Sequence, residues 1–407
     1  MFFKKKLKQI REFFSKQFCK QRWLLVVFSP EGLELRPIIY YPTDGTFKEM
    51  TPFMFKNIFE KNFSSRKIIK ILGKTIFFPF KFNITVVASK EVCASTYFVF
   101  PFTRQSSNTI IEKNDVMAAF SQHLWKYLDV HKKAFAKHND YDDLGVLLVA
   151  NQVIRITVDD VPLKNPETLF EKKGKKISFG MIQTFLHRPL FVALTKTFSK
   201  RATFKHFHEY GFTLPLFGLI SLFGDKKNTS NKHCIVARVE DSDTLVYAFD
   251  GNHFAYFDSF AFGEKYLYEA VHHVMGVNFS SYKEIINSIV MGKTSLVVAK
   301  KFVSIMDKEL SRLSHGLQSF KKDIRATSAL LSMPGSASFL ALNKKFASML
   351  ISADKFECGS AKVSQLSVSD QLKADIICMI GLDRTDSINT LATRQIRWLI
   401  PHNMNVK

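Results

Sequence analysis

Residues Leu144–Leu186, LGVLLVANQVIRITVDDVPLKNPETLFEKKGKKISFGMIQTFL, decide how this chain is read. Leu144–Ala150 is a short apolar run, which predicts a buried strand. Ile154–Val158 continues it past a turn. Val158–Pro166 (VDDVPLKNP) is rich in Asp, Asn and Pro, and these residues favour turns through side-chain hydrogen bonds and a fixed φ. Ile177–Leu186 is a further strand. The basic turn Lys172-Lys173-Gly174-Lys175-Lys176 leads into it. A solvated turn is the plain reading of those lysines. A contact with lipid head groups or an acidic partner is the other.

Upstream, Trp23–Phe28 and Leu33–Tyr41 flank Ser-Pro-Glu-Gly and predict a β-hairpin. Thr51–Glu60 is expected to be helical. Lys67–Phe80, Phe82–Ser89 and Thr96–Thr103 are expected strands. Asn114 is expected to cap a helix over 115–137. Downstream, helices are expected over Leu190–Tyr210, Lys265–Met275, Ser281–Met291, Lys301–Leu331, Ala337–Ser352 and Ser387–Ile400. His233–Arg238, Thr244–Phe249 and Phe254–Phe260 form an expected meander, turned at Asp250-Gly251-Asn252. Strand meanders followed by helices occur twice, which predicts two α/β lobes.

The whole chain has 407 residues and a formal net charge of +22. That length allows about two to four structural units. The charge favours acidic partners, nucleic acid or anionic lipid without choosing among them. The five cysteines are scattered and include no CxxC, so neither a zinc site nor a disulfide framework is expected, and reduced thiols in a cytoplasmic protein are. No apolar run approaches the roughly 20 residues of a membrane span.

Residues 1–22, MFFKKKLKQIREFFSKQFCKQR, carry the sharpest functional signal. Phe3, Leu7, Ile10, Phe14 and Phe18 recur at helical spacing, and Phe2 widens their stripe. Lys4, Lys5, Lys6, Lys8 and Arg11, with Lys16, Lys20 and Arg22, oppose the single acid Glu12. Such a segment lies in the lipid interface with its aromatics down. Its net charge contributes up to about 7 kcal/mol at an anionic leaflet. A helix packed on its own domain and a partner or nucleic-acid arm are the alternatives. A phosphate-binding arm needs charge but no apolar stripe.

The usual chemical signatures are absent from the sequence. Phosphate cradles need glycines, so that backbone N–H groups can approach closely. The chain has 17 glycines, about 4 % where about 7 % is usual. Gly292-Lys293-Thr294 imitates the end of a P-loop, but Asn287 stands where its first glycine belongs. His206 and His208 lie two apart on an expected helix and so do not share a face. His131–His138 and His272-His273 complete no carboxylate pattern. No HExxH, Gly-x-Ser-x-Gly or catalytic cysteine signature is present. Neither a catalytic residue nor a metal ligand is expected.

The order of elements across about residues 23–400 resembles the actin-like ATPase superfamily, and within it the bacterial cell-division protein FtsA. The Leu144–Leu186 stretch is similar to FtsA's inserted subdomain, whose turn reads DG-x-V-x-NP. Asp159, Asp160, Val161, Asn165 and Pro166 stand at those places. VVASKEVCASTYFVFPF and IIEKNDV resemble the strands and helix start that precede the insert. IVARVEDSDTLVYAFDGNHFAYFDSFAFGEKYLYEAV resembles the superfamily's second phosphate hairpin and its following helix, with Gly251 and Gly263 at turn glycines. LLSMPGSASFLALNKKFASML resembles the adenosine-loop segment, keeping Gly335 and Ser336. The resemblance implies an α/β, actin-like (ribonuclease H-like) two-lobed fold with an FtsA/PilM-type insert. It implies a membrane-binding helix at 1–22, a first lobe over 23–108 and 188–232, the insert at 109–187, and a second lobe over 233–365. Residues 366–407 then return to the first lobe.

By the same resemblance, Ser29, Ser242, Thr244, Gly263, Gly335 and Ser336 occupy the nucleotide positions. The departures are chemical. Phe28-Ser29-Pro30 replaces Asp-Ile-Gly of the first phosphate loop. Arg238-Val239-Glu240-Asp241-Ser242 replaces Asp-Ile-Gly-Gly-Gly-Thr of the second, placing acids where phosphates would sit. Little ATP hydrolysis is expected, and ATP with Mg is implied by the resemblance alone. FtsA ends in a membrane helix, a role that residues 1–22 are expected to take over. The reading is a scaffold at the cytoplasmic face of the membrane, tethering the FtsZ tail or other divisome proteins. Lys300, Lys301, Lys321 and Lys322 are the candidate partner-binding groups, and filament formation is possible. The alternatives are a PilM-like adaptor of type IV pilus assembly, an active membrane-bound actin-like ATPase and, lower, a nucleic-acid binder.

Overall fold

A computed structural model describes residues 21–29, 32–42, 44–49, 52–56, 82–163, 165–198, 202–213, 216, 233–250, 253–323, 325–333, 339–351, 370–381 and 387–396. In chain order the elements begin with β1 (Gln21–Ser29), β2 (Gly32–Tyr41), β3 (Thr46–Glu49), β4 (Phe53–Lys56), β5 (Phe82–Ala88) and β6 (Cys93–Thr103). There follow α1 (Lys113–His138), β7 (Val146–Val158), β8 (Val161–Pro162), β9 (Lys176–His187), α2 (Arg188–Phe198) and β10 (Ala202–Glu209). Next come β11 (Cys234–Val239), β12 (Thr244–Asp250), β13 (His253–Phe260), α3 (Glu264–Met275), α4 (Phe279–Val290) and α5 (Leu296–Asp323). The series closes with β14 (Ser328–Ser332), α6 (Lys344–Ala347), α7 (Asp370–Gly381) and α8 (Ser387–Ile396).

The chain divides into two compact units, Met1–Phe212 with Glu357–Gln365 and Asp375–Lys407, and Thr213–Phe356 with Leu366–Ala374. In the first, a sheet runs β10-β5-β1-β2-β3, with β4 paired to β2. β1 and β2 are antiparallel, and β5 and β10 run parallel to β1. In the second, the order is β13-β12-β11-β14, with β14 parallel to β11. Numbered by appearance, the path is 3-2-1-4-5 in the first unit and 3-2-1-4 in the second. A meander followed by parallel strands has been laid down twice.

A second sheet of the first unit, β6-β9-β7-β8, carries the Leu144–Leu186 stretch. The two expected strands at Leu144–Ala150 and Ile154–Val158 are one strand, β7, with irregularities at Leu148/Ala150 and Val153/Arg155. α1 covers one face with Val116, Ala119, Phe120, Leu124 and Leu128, a stripe at helical spacing. Phe120 packs on Phe100 and Phe179. α1 starts one residue before Asn114. Glu112 is the N-cap, in a capping box with Asp115.

Buried Arg104 fastens the loop before α1. It donates to the Asp115 carboxylate (2.9 Å), to the carbonyls of Thr109 (3.0 Å), Gly174 (2.9 Å) and Ile110 (2.9 Å), and to the Thr109 hydroxyl (3.0 Å). The β7–β8 turn places Asp159 and Asp160 at φ of 46° and 64°. Aspartate tolerates the left-handed region better than most residues. The Asp159 carboxylate accepts the N–H groups of Lys175 and Lys176. Asn165 caps the turn of 3₁₀ helix over Pro166–Glu171. α8 docks here through Ile388, Ala392 and Ile396. The Asn389 side chain accepts from Val153 N (2.7 Å) and donates to Val153 O (3.0 Å), as a neighbouring strand would.

Four expectations are corrected. Phe53–Lys56, expected within a helix over Thr51–Glu60, is a strand, because it pairs with β2. The expected helix over Leu190–Tyr210 ends at Phe198, and 202–209 is β10. The long helix expected to Leu331 stops at Asp323, and β14 follows. Among its described residues, Ala337–Ser352 forms a short 3₁₀ turn, Phe339–Leu342, and α6, not one helix. The strand expected at Lys67–Phe80 lies outside the described residues.

Candidate functional site

The β11–β12 turn is where the sequence puts the second phosphate loop. β11 is buried along its length, with Ile235, Ala237 and Val239 in the core of the second unit. On the opposite face Arg238 is buried, and its guanidinium pairs with the buried Glu240 carboxylate. A buried pair is poor for stability, because desolvation offsets the attraction, yet removing one partner leaves an uncompensated charge. The Arg238 side chain is therefore held by Glu240.

The turn is folded against the start of α3. Glu240 O accepts from Glu264 N (2.9 Å), Asp241 O from Lys265 N (2.8 Å), and Glu240 N donates to Asp243 O (2.9 Å). The buried Thr244 hydroxyl donates to Phe262 O (2.8 Å). N–H groups at a helix N-terminus are ready anion ligands, but these two are taken by carbonyls of the turn. Gly263 precedes α3 with no room to spare. A Cβ there would lie 2.4 Å from the Asp241 carbonyl carbon and oxygen. Acidic Glu240, Asp241, Asp243 and Glu264 crowd the same place. The turn thus occupies the N–H groups of Glu264 and Lys265 at the start of α3, and one of its acids, Glu240, is paired with Arg238.

The described nucleotide candidates belong to both units. Ser242 is exposed and donates to the Asp243 carboxylate (3.0 Å), while Thr244 and Gly263 are part of the sealed turn. Ser29 ends β1 opposite Gly32, across the hairpin connection of the other unit. Gly335 and Ser336 lie outside the described residues, as do the membrane candidates of residues 1–20. Lys300 and Lys301 are exposed in the first turns of α5, and Lys321 and Lys322 are in its last turn. At 1.5 Å per residue the two pairs stand about 30 Å apart, so they form two basic points and not one patch.

His206 and His208 share a face of β10, where residues two apart point the same way. The expectation that they would not rested on a helix. Burial lowers both, His206 to about 4 and His208 to about 3, so both are neutral at pH 7. His206 also hydrogen bonds to the Met379 backbone. Cys93 and Cys234 are free and buried. Burial raises both thiols, Cys234 to about 11, so neither is a ready thiolate. Among the described residues no three of His, Cys, Asp and Glu gather as a metal site would require. Among them, too, no helix is long and apolar enough to cross a membrane. Sequence reading missed Arg104 and Asn389. Neither lies in a motif, and each is recognised only by the distant backbone groups it meets.

No family model matches the chain, and no curated protein matches it. Solved structures do. A PilM–PilN type IV pilus biogenesis complex is 10 % identical, covering 88 % of this chain and 97 % of that one, with a TM-score of 0.46. The ethanolamine utilization protein EutJ from Carboxydothermus hydrogenoformans is 6 % identical, covering 90 % of each chain, with a TM-score of 0.35. The archaeal actin homolog Ta0583 is 10 % identical, covering 88 % and 99 %, with a TM-score of 0.35. The strand path repeated in both units is the ribonuclease H-like path, and the fold of this chain is α/β and actin-like.

Proposed function

We propose that this chain is a non-hydrolysing, actin-fold adaptor of the FtsA kind. It docks on the anionic cytoplasmic face of the cell membrane through residues 1–22. There it tethers the tail of a tubulin-like division protein or other divisome proteins. The observation that carries the reading is the sealed β11–β12 turn. Its carbonyls occupy the N–H groups of Glu264 and Lys265, and its acids repel phosphate. An actin fold without an open phosphate loop keeps its value as a binding surface. The net charge of +22 and the basic, aromatic segment at 1–22 support an anionic surface as its support. The lysines at the two ends of α5 offer contacts to an acidic tail.

Two measurements test this. Titration calorimetry with Mg-ATP is expected to give no binding heat, and micromolar binding overturns the non-hydrolysing reading. Flotation with anionic vesicles is expected to carry the full chain and to fail without residues 1–22. If both forms stay in solution, the membrane reading is wrong. Charge reversal at Lys300, Lys301, Lys321 and Lys322 that leaves tail affinity unchanged removes α5 as the partner surface.

A further inference from the structure

The turn between α4 and α5 presents apolar side chains to water in a way the rest of the second unit does not require. Val290 and Met291 end α4, and Leu296 and Val297 open α5. Leu296 and Val297 are each 78 % exposed, and Met291 is 65 % exposed. Neighbours on a helix point about 100° apart. When both stay this open, little among the described residues flanks either one. The walls of a groove would cover part of each, so the surface is a projecting tip.

The tip is built, not slack. Gly292 takes φ +67°, the left-handed conformation that suits glycine after a helix. Its N–H donates to Ile289 O (3.0 Å), and Lys293 N donates to Ser288 O (2.7 Å). Ser295 starts α5, accepting from Ala299 N on its carbonyl (3.0 Å) and from Val298 N on its hydroxyl (3.4 Å). The apolar side chains are thus held outward with little left to order on binding. The charge around them has one sign. From Ile285 to Met306 the chain carries Lys293, Lys300 and Lys301 and no acid, and all three lysines are exposed.

We propose that the α4–α5 tip is a second membrane contact, inserting Met291, Leu296 and Val297 among the lipids while Lys293, Lys300 and Lys301 meet anionic head groups. It rests on the membrane-docking reading above and adds the place where the second unit touches the bilayer. Lipid suits the tip better than a protein does. A fluid interface closes around a convex apolar point ringed by lysines, whereas a protein would need a matching acidic socket. With Lys300 and Lys301 on lipid, the tail contact proposed above for both ends of α5 narrows to Lys321 and Lys322 in its last turn.

The test uses the full chain with phosphatidylcholine vesicles, with and without phosphatidylglycerol. L296E/V297E and K293E/K300E/K301E change only exposed side chains, and each is expected to lower partitioning on anionic vesicles about tenfold or more. In L296W, fluorescence beyond that of the native chain is expected to be quenched by brominated acyl chains only on anionic vesicles. If the chain floats but the new indole stays unquenched, the tip proposal falls and the docking reading stands. If no form floats, both fall. If the tip variants float normally but lose binding to a polyglutamate peptide, the tip is a protein-binding surface and the lipid assignment is overturned.

Discussion

Replacing Gly263 by alanine tests the sealed turn directly. Gly263 has φ −159° and ψ −177°, an extended backbone that alanine adopts freely, so any penalty is one of space. The new Cβ would lie 2.4 Å from the Asp241 carbonyl carbon and oxygen and 2.6 Å from Glu240 O. Carbon contacts settle at about 3.5 Å, so the turn must retreat on the order of 1 Å. That turn is pinned by Glu264 N to Glu240 O and Lys265 N to Asp241 O, at 2.9 and 2.8 Å. Losing both at about 1 kcal/mol each, with about 1 kcal/mol of remaining strain, gives about 3 kcal/mol of destabilisation. Urea unfolding of the full chain measures the total. Hydrogen exchange at Glu264 and Lys265 reports whether these two bonds are the ones lost. A change under about 0.5 kcal/mol, the range of an ordinary surface substitution, with unchanged exchange at both amides, refutes the close contact.

Two further predictions concern the first unit. His206 and His208, lowered to about 4 and about 3, bind protons in the unfolded chain near 6.5 but resist them when folded. Their contribution is therefore present above pH 6.5 and is lost as the pH falls below it, by about 2 kcal/mol for each by pH 5. Urea midpoints at pH 7 and pH 5 should drop less in the His208→Gln variant than in the native chain, and parallel drops contradict the argument. Asn389→Ala removes both bonds to Val153 and leaves buried backbone unpaired, at about 2–3 kcal/mol. Faster exchange of the Val153 amide should accompany the loss, and an unchanged rate would show that another group takes over the strand edge.

The parts of the fold legible in the sequence are those whose apolar pattern is complete over a short stretch. The β1–β2 hairpin and the β11–β12–β13 meander are both of this kind. The sealed turn was half legible. Acids in place of glycines were visible, but the buried Arg238–Glu240 pair and the carbonyls closing on α3 join residues that no motif links. The α4–α5 tip was missed for a related reason. Leu296 and Val297 lie before the helix expected from Lys301, and only the structure places them in α5 and leaves them bare.

By itself the sequence determined the first hairpin, the meander of the second unit, the charge and the turn chemistry, since each depends on neighbours a few residues apart. The tertiary structure decided β3 and β4, which pair with β2, and β10 and β14, the parallel strands that complete the two α/β units. In β10 the register shifts between Phe204 and His206, so Phe204 and Phe207 reach one buried face at a spacing of three. That spacing imitates a helix. β14 follows α5 so closely that helix and strand read as one long helix, Lys301–Leu331. A parallel strand takes its hydrogen bonds from segments far away in the chain, so what fixes it is the partner strand, β5 for one and β11 for the other.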